Sequence, residues 1–516
     1  MNIKSAWGLL LLSSVFSKTP VSAQAGALDT QFGTAGIAQT AFGTFSATCN
    51  AMTLQPDGKI VLGGVYSSGG MGNMAFARLN PNGVLDNTFG AGGKFNLAFS
   101  AGVKMAAVQM ATGGKIIAAG SSNNKPVIAR LTANGAADAF GTGGVVEFDG
   151  GLNGIADLVV LSNGKMVGCG IADLGNGKRF AAFRRNADGT PDNSFGTNGF
   201  AYFDVGQQPT VTRMAIQPDG KILLTGTVYF DATKYDLILV RLTANGAIDN
   251  TFDTDGIVTT TLSGSSAYEQ GFAIDVQQDN KIVVAARIAN VTPTVFAVVR
   301  YNSNGALDNT FGTSGRVTVN FNNNIDEPKA IALQPDGKIL VAGTSVVGSN
   351  RELALARVTQ TGVLDNTFSG DGKVTAVIGT RAYGEALAIQ TDGKILVGGY
   401  ALVNNQNQFV ALRYLSGIVV GAPERESGVE GLRLFPNPAV AGAGLSLQFH
   451  LNRAQSCRFQ LLGADGRLLE SYPARDLPAG PQTLSLPLPA DLPAGRAVLQ
   501  ITTESGTVAV AVLVAG

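Results

Sequence analysis

Histidine and cysteine are almost missing from this chain: His450 is the single histidine among 516 residues, and the only cysteines are Cys49, Cys169 and Cys457. Their scarcity removes whole classes of chemistry. A zinc, copper or non-haem iron centre of the His/Cys kind needs three or four converging ligands, and a nucleophile-histidine-acid triad needs its imidazole. The cysteines are too few and too scattered for a disulfide framework, and each is expected to be a free, buried, small apolar residue. Charge is sparse as well, at 14% of residues, and 37 Lys and Arg balance 37 Asp and Glu. A balanced chain projects no field that would gather nucleic acid or anionic lipid, so neither is an expected partner. With no P-loop and no G-x-G-x-x-G opening a helix, no cofactor is expected either.

Glycine is what the sequence has in excess. Its 67 glycines are about twice ordinary usage. They lie between short apolar runs without the three-residue period of collagen, which implies many strands joined by many tight turns. The N-terminus is built differently. MNIKSAWGLLLLSSVF places Lys4 ahead of an apolar run from Ala6 to Phe16, too short to span a bilayer and patterned as a secretory signal peptide. Residues 1–23 are assigned to it, with cleavage after Ala23 or Ala25. No later run of about 18 apolar residues would stop transfer. No membrane span is therefore expected after cleavage, and the mature chain is expected to be exported in soluble form.

The stretch LQPDGKILVAG at 333–343 recurs in near copies along the chain. Its lysine falls at Lys59, Lys115, Lys165, Lys221, Lys281, Lys338 and Lys394. Each copy is followed by an apolar segment ending in arginine, at Arg78, Arg130, Arg184, Arg241, Arg300, Arg357 and Arg413. A third element, typified by LDNTFG, carries Asp29, Asp86, Asp138, Asp192, Asp249, Asp308 and Asp365. A period of 50 to 60 residues is an architectural signature that has to be interpreted before any local motif. Each unit holds four strand-like runs, such as 330–335, 338–343, 353–358 and 373–378, separated by turn chemistry. The central runs are apolar on both faces, as strands sandwiched between neighbouring sheets would be. Four strands in each of seven units imply an all-β, seven-bladed β-propeller over residues 24–416.

The register of the repeat also implies how the ring closes. In six units the aspartate follows the arginine by eight residues, but Arg413 has Gly421 at that offset and Asp29 is left over at the other end. If a strand near Gly36 to Phe42 completes the last blade, Asp29 becomes the partner of Arg413. The D-G-K tripeptide is read as a two-residue primed hairpin turn rather than a chemical site, because the copies at 113–115, 163–165 and 279–281 read GGK, NGK and DNK. Its lysine is expected to be solvated at a strand edge. The arginines and aspartates are expected to form structural charge-assisted hydrogen bonds that pin the turn between the third and fourth strands.

The LDNTFG, QPDGK and ARLNPNG-like segments resemble the delta-60 repeat of exported bacterial proteins, from Leu28 to about Tyr414. The resemblance implies the propeller and little about activity. WD repeats and the quinone-dependent and Asp-box sialidase propellers carry tryptophan signatures, whereas Trp7 of the signal segment is the one tryptophan here. Residues 417–430 read as a linker. The block 431–516 then carries the runs LSLQFHL, CRFQLLG, TLSLPL, AVLQITT and TVAVAVLV, which imply a small C-terminal β-sandwich. FPNPA at 435–439, GADGRLL at 463–469 and LPAGRAVLQI at 492–501 resemble the C-terminal sorting domain of type IX secretion cargo in Bacteroidetes. Arg496 and Ala497 depart from the aromatic or Ile-Tyr pair usual in that family. The resemblance implies that secretion machinery as a partner, and delivery through the periplasm to the outer surface or the medium.

The D-G-K and LDNTFG turns must share one face of the ring, because each joins two strands at the same end. The opposite face is built from loops that differ in every unit, including 227–236, 265–270, 322–328 and 379–384. Ligands usually meet variable loops held on a rigid scaffold. The candidate ligand-binding residues are therefore Tyr229, Tyr235, Tyr268, Glu269, Asp326, Glu327, Arg381 and Tyr383. Tyrosines beside acids suit sugar binding, where a ring stacks and hydroxyls take hydrogen bonds. The expected function is a secreted or cell-surface binding or adhesion scaffold, with a polysaccharide or a cell-surface protein as partner. The alternative is a carboxylate-dependent carbohydrate-active enzyme on the same face, since a glycosidase or lyase needs only paired acids, or an acid with Tyr, Lys or Arg. No D-x-D-x-D loop is present, and no metal site is expected.

Overall fold

The computed structural model describes residues 24–68, 71–100, 102–175, 177–231, 234–262, 268–289, 293–322, 324–417, 429–436, 439–463, 468–492, 495–503 and 507–514. The expected signal peptide and most of the expected linker lie outside them. Among the described residues no helix is long and apolar enough to cross a membrane. Cys49, Cys169 and Cys457 are free and buried, as expected, and burial pushes the Cys49 thiol up to about 12.

Blade six shows how the repeat makes its sheet. Asp326–Leu333, Ile339–Val347, Asn350–Val358 and Lys373–Ala376 pair antiparallel in sequence order. Ile339, Leu340 and Val341 are all fully buried, because alternate side chains point to opposite faces and a neighbouring blade covers each face. Seven such sheets follow around the ring. Their first strands are Ala47–Leu54, Val103–Met110, Asp157–Val160, Gln207–Ile216, Tyr268–Val276, Asp326–Leu333 and Arg381–Ile389. Each touches the first strand of the next blade, and the seventh touches the first, so these strands surround the axis of a closed all-β propeller.

Closure takes the form implied by the repeat register. Ile37–Thr40 is the fourth strand of the last blade, pairing antiparallel with Gln406–Tyr414 so that Ile37 faces Leu412 and Thr40 faces Phe409. Arg413 Nε donates to Asp29 Oδ2 at 2.8 Å, and Asp29 N donates to Arg413 O at 2.8 Å. Phe32, Ala38 and Phe42 are buried at this seam.

The hairpin turn differs from the expected one. In the copy at 55–59, Gly58 N donates to Gln55 O at 2.9 Å and Gln55 N to Lys59 O at 2.8 Å. Gly58 takes a positive φ of 80° while Asp57 does not, which makes a three-residue loop with a type I turn and a left-handed glycine in place of a two-residue primed turn. Copies with Ser162, Gln278 and Thr391 at the first corner make the same two bonds, and Pro56 favours the turn here. Its fixed φ near −65° suits the first corner of a type I turn. Asp57 Oδ1 then accepts from Lys59 N at 3.2 Å, so this carboxylate is a turn clamp.

The lysine is not a solvated edge residue. Lys59 Nζ lies 3.2 Å from Asp86 Oδ2, the same oxygen that accepts from Arg78 Nε at 2.8 Å. All seven units repeat this Lys-Asp-Arg triad. Two cations compensate an aspartate that would be costly to bury alone. The arginine does a second job, reaching a backbone carbonyl of the following blade: Arg78 to Ala133 at 2.5 Å, Arg130 to Ala187 at 2.7 Å, and finally Arg413 to Pro81 at 2.5 Å across the closure. Each guanidinium also lies over the phenylalanine of its own LDNTFG-like turn, as Arg78 does at 4.7 Å over Phe89. Gly83 packs on the preceding unit so closely that a Cβ there would meet Gly33 N at 2.7 Å and the Phe32 ring at 2.9 Å.

Beyond the propeller, Val429–Phe435, Gly444–Leu451 and Gly480–Pro487 form a three-stranded sheet. Leu468–Leu477, Gln455–Gly463, Gly495–Thr503 and Thr507–Val514 form a four-stranded one. Leu447 and Phe449 from the first sheet share one apolar cluster with Phe459 and Leu499 from the second.

Candidate functional site

The hairpin face is occupied by the triads and their turn clamps, which leaves the opposite, variable face to be built up residue by residue. On blade four Tyr229 and Tyr235 are cross-strand partners. Tyr235 in turn bridges in parallel to Tyr268 on blade five. The rings follow the backbone pairing, with centroids 5.0 Å apart for Tyr229 and Tyr235 and 5.0 Å for Tyr235 and Tyr268, the latter pair stacked at 28°. Tyr268 is 41% exposed and presents the open end of this ladder. Three residues singled out separately thus form one aromatic surface across an inter-blade seam.

Glu269 and Asp326 do not lie on that surface. Both are fully buried at equivalent places near the start of a first strand, where each folds back beneath the loop that precedes it. Glu269 accepts from Leu262 N. Asp326 accepts from Phe321 N at 2.9 Å and from the Ser345 hydroxyl at 2.6 Å. Burial raises the Asp326 carboxyl above its ordinary value, against the pull of those two donors. Asp326→Ala would strand both donors, a loss worth about 1 to 3 kcal/mol. Urea unfolding of this variant is expected to show that loss, and an unchanged midpoint would argue that the clamp is idle.

The other three candidates sit elsewhere. Glu327 is held by Lys329 at 2.7 Å; burial would raise its carboxyl, but Lys329 and then Arg287 and Arg351 hold it below the usual range. Tyr383 stacks on Tyr400 at 4.6 Å, with the Arg351 guanidinium 5.7 Å from its ring. Burial, then Glu385 and Tyr383, raise the Tyr400 hydroxyl. Arg381 is exposed at the seam where it bridges to Arg351. A second aromatic cluster escaped the sequence reading: Phe45, 38% exposed, stacks on Tyr66 at 5.3 Å. It comes from the variable loop before the first strand of blade one, and that position was the available signal.

A family model described as "Domain of unknown function (DUF5122) beta-propeller" matches residues 55–89, 114–140, 161–195, 217–252, 277–311, 334–368 and 390–417. No curated protein matches the chain. Among solved structures, Drosophila Semaphorin 2a aligns with 8% identity over 94% of this chain and 97% of its own, with a TM-score of 0.42. A polysaccharide lyase, the PL25 ulvan lyase bound to -[GlcA(1-4)Rha3S]-, aligns with 10% identity over 76% of this chain and 94% of its own, with a TM-score of 0.40. Prolyl oligopeptidase B from Galerina marginata aligns with 13% identity over 80% of this chain and 56% of its own, with a TM-score of 0.39. The seven matched segments fall in step with the seven blades, and the chain is a β-propeller repeat protein.

Proposed function

We propose that the protein is a binding scaffold, secreted or held at the cell surface, whose variable propeller face takes a polysaccharide on the Tyr229, Tyr235 and Tyr268 ladder. The observation that carries the reading is that ladder: three adjoining rings, the outer pair stacked, ending in a 41% exposed tyrosine on the face free of the repeat motifs. A ring stack offers a flat apolar surface with hydroxyls at its edge, as a pyranose face requires. Export by the type IX route, with residues 431–516 as the sorting signal, belongs to the same reading and is supported by the FPNPA and LPAG segments. Burial of Glu269 and Asp326 favours binding over the carboxylate-dependent enzyme.

The test is a panel of neutral and acidic polysaccharides incubated with the purified protein, scored for retention and for the appearance of new chain ends. Retention without new ends is expected. In Tyr268→Ala the affinity should fall about tenfold, as loss of one stacking ring of roughly 1.5 kcal/mol implies. Chain cleavage would replace the scaffold with an enzyme, and undiminished retention in Tyr268→Ala would move the site off the ladder.

A further inference from the structure

The first strands enclose a cavity of about 230 Å³ on the propeller axis, lined from all seven blades. Its composition departs from what the repeat needs. Eight residues before the hairpin lysine, five blades carry alanine, at Ala51, Ala107, Ala273, Ala330 and Ala386. Blades three and four instead carry Asp157 and Arg213. One residue earlier, at the β-bulge of blades six and seven, stand Lys329 and Glu385. Small side chains satisfy the stacking of inner strands elsewhere in the ring, so the four charged ones are surplus to the architecture.

Two of the four are already satisfied. Asp157 Oδ1 accepts from Leu158 N and its Oδ2 accepts from Met214 N, both at 2.9 Å. Lys329 is paired with Glu327 at 2.7 Å and lies 5.0 Å from the Phe272 ring. Arg213 spends one nitrogen on the carbonyls of Thr212, at 3.0 Å, and Ala156, at 3.4 Å. Among the described residues, no carboxylate lies within ion-pair distance of Arg213, and no hydrogen bond or ion pair engages Glu385. Attraction from beyond ion-pair distance does reach them: burial raises the Asp157 carboxyl while Arg213 pulls it down, and burial raises the Glu385 carboxyl while Lys329 and then Arg213 pull it down. Half-buried charges without a direct ion pair are costly. What remains in the cavity is a guanidinium and a carboxylate on different blades, with neutral Asn50 and Gln109 also in the lining.

We propose that the axial cavity binds a small zwitterion of the α-amino acid class, its carboxylate on Arg213 and its ammonium on Glu385. A ligand of either single charge would satisfy one group and leave the other facing it unpaired. This site is separate from the tyrosine ladder and does not depend on it.

Calorimetric titration of the purified protein tests the proposal with L-alanine, L-serine and L-leucine, against lactate, which lacks the ammonium, and ethylamine, which lacks the carboxylate. At least one amino acid is expected to bind with a dissociation constant of about 1 mM or tighter. Lactate and ethylamine should bind at least about tenfold more weakly. Arg213→Gln and Glu385→Gln should each cost at least that factor, while Tyr268→Ala should cost nothing. Absence of binding by all three amino acids would overturn the proposal, as would lactate binding equal to theirs, or unchanged binding in both cavity variants. If either variant fails to fold, the matched ligands decide on the unsubstituted protein.

Discussion

Asp29→Ala is expected to cost about 3 to 5 kcal/mol of stability, the range found when one partner of a buried ion pair is removed. Arg413 and Lys394 would be left facing an empty position, at a seam where Arg413 is 5% exposed. The loss falls on the one blade assembled from distant parts of the chain, and it should also free the strand Ile37–Thr40, which follows the aspartate by eight residues. Urea unfolding and limited proteolysis would read both effects. Arg413→Met added to Asp29→Ala should recover much of the loss, because an apolar pair of similar volume no longer carries an unpaired charge. Asp57→Ala, on an exposed turn, supplies the comparison and should stay within about 0.5 kcal/mol. Equal effects of Asp29→Ala and Asp57→Ala would contradict the closure described here.

Stability should peak near about pH 5 and collapse below about pH 4. In the seven triad aspartates the carboxyl is held below its ordinary value. In most of them burial is the largest influence and raises the carboxyl, but it is outweighed by hydrogen bonds and cations. In Asp249 the balance, led on the lowering side by Thr251, leaves the carboxyl at about 2. A depressed folded value contributes stability that is present above the unfolded value, near 3.9, and lost as pH falls through the folded one. Asp275 acts in the opposite sense. Burial raises it to about 6, so its contribution is complete below the unfolded value and is lost as pH rises through about 6. Burial raises Asp157, Asp326 and Glu385 in the same sense as Asp275, so seven groups on the acid side against four on the other give a steep acid limb and a shallower decline toward neutrality. Thermal midpoints from pH 2 to 8 would show it. A curve flat down to pH 3, or an acid limb centred near pH 6, would contradict the triads.

Blade number, strand order and the Asp29 to Arg413 closure were legible because the repeat prints its register seven times, and one missing aspartate is visible against six present. The role of the lysine was not. Its aspartate lies 27 residues away in units such as Lys59 and Asp86, beyond the reach of local turn chemistry. The arginine's bond to the next blade was hidden similarly, spanning 55 residues from Arg78 to Ala133. Among the candidates, Tyr268 and Glu269 show the limit most plainly. Adjacent residues on a strand face opposite ways, so one is 41% exposed and the other fully buried; membership of a variable loop does not reveal which. Arg213 and Glu385 lie among strand residues rather than loops. They stand out only when the seven first strands are aligned on their hairpin lysines.

The claim that the repeated motifs build one face and the ligand uses the other is tested most directly by affinity electrophoresis. Protein is run through gels cast with each polysaccharide of the panel, comparing the unsubstituted chain with Tyr268→Ala on the variable face and Lys281→Ala on the triad face. The account predicts retardation of the unsubstituted chain by at least one polysaccharide, its loss in Tyr268→Ala, and its retention in Lys281→Ala. Loss in Lys281→Ala with retention in Tyr268→Ala, or migration unaltered by every polysaccharide, would contradict it.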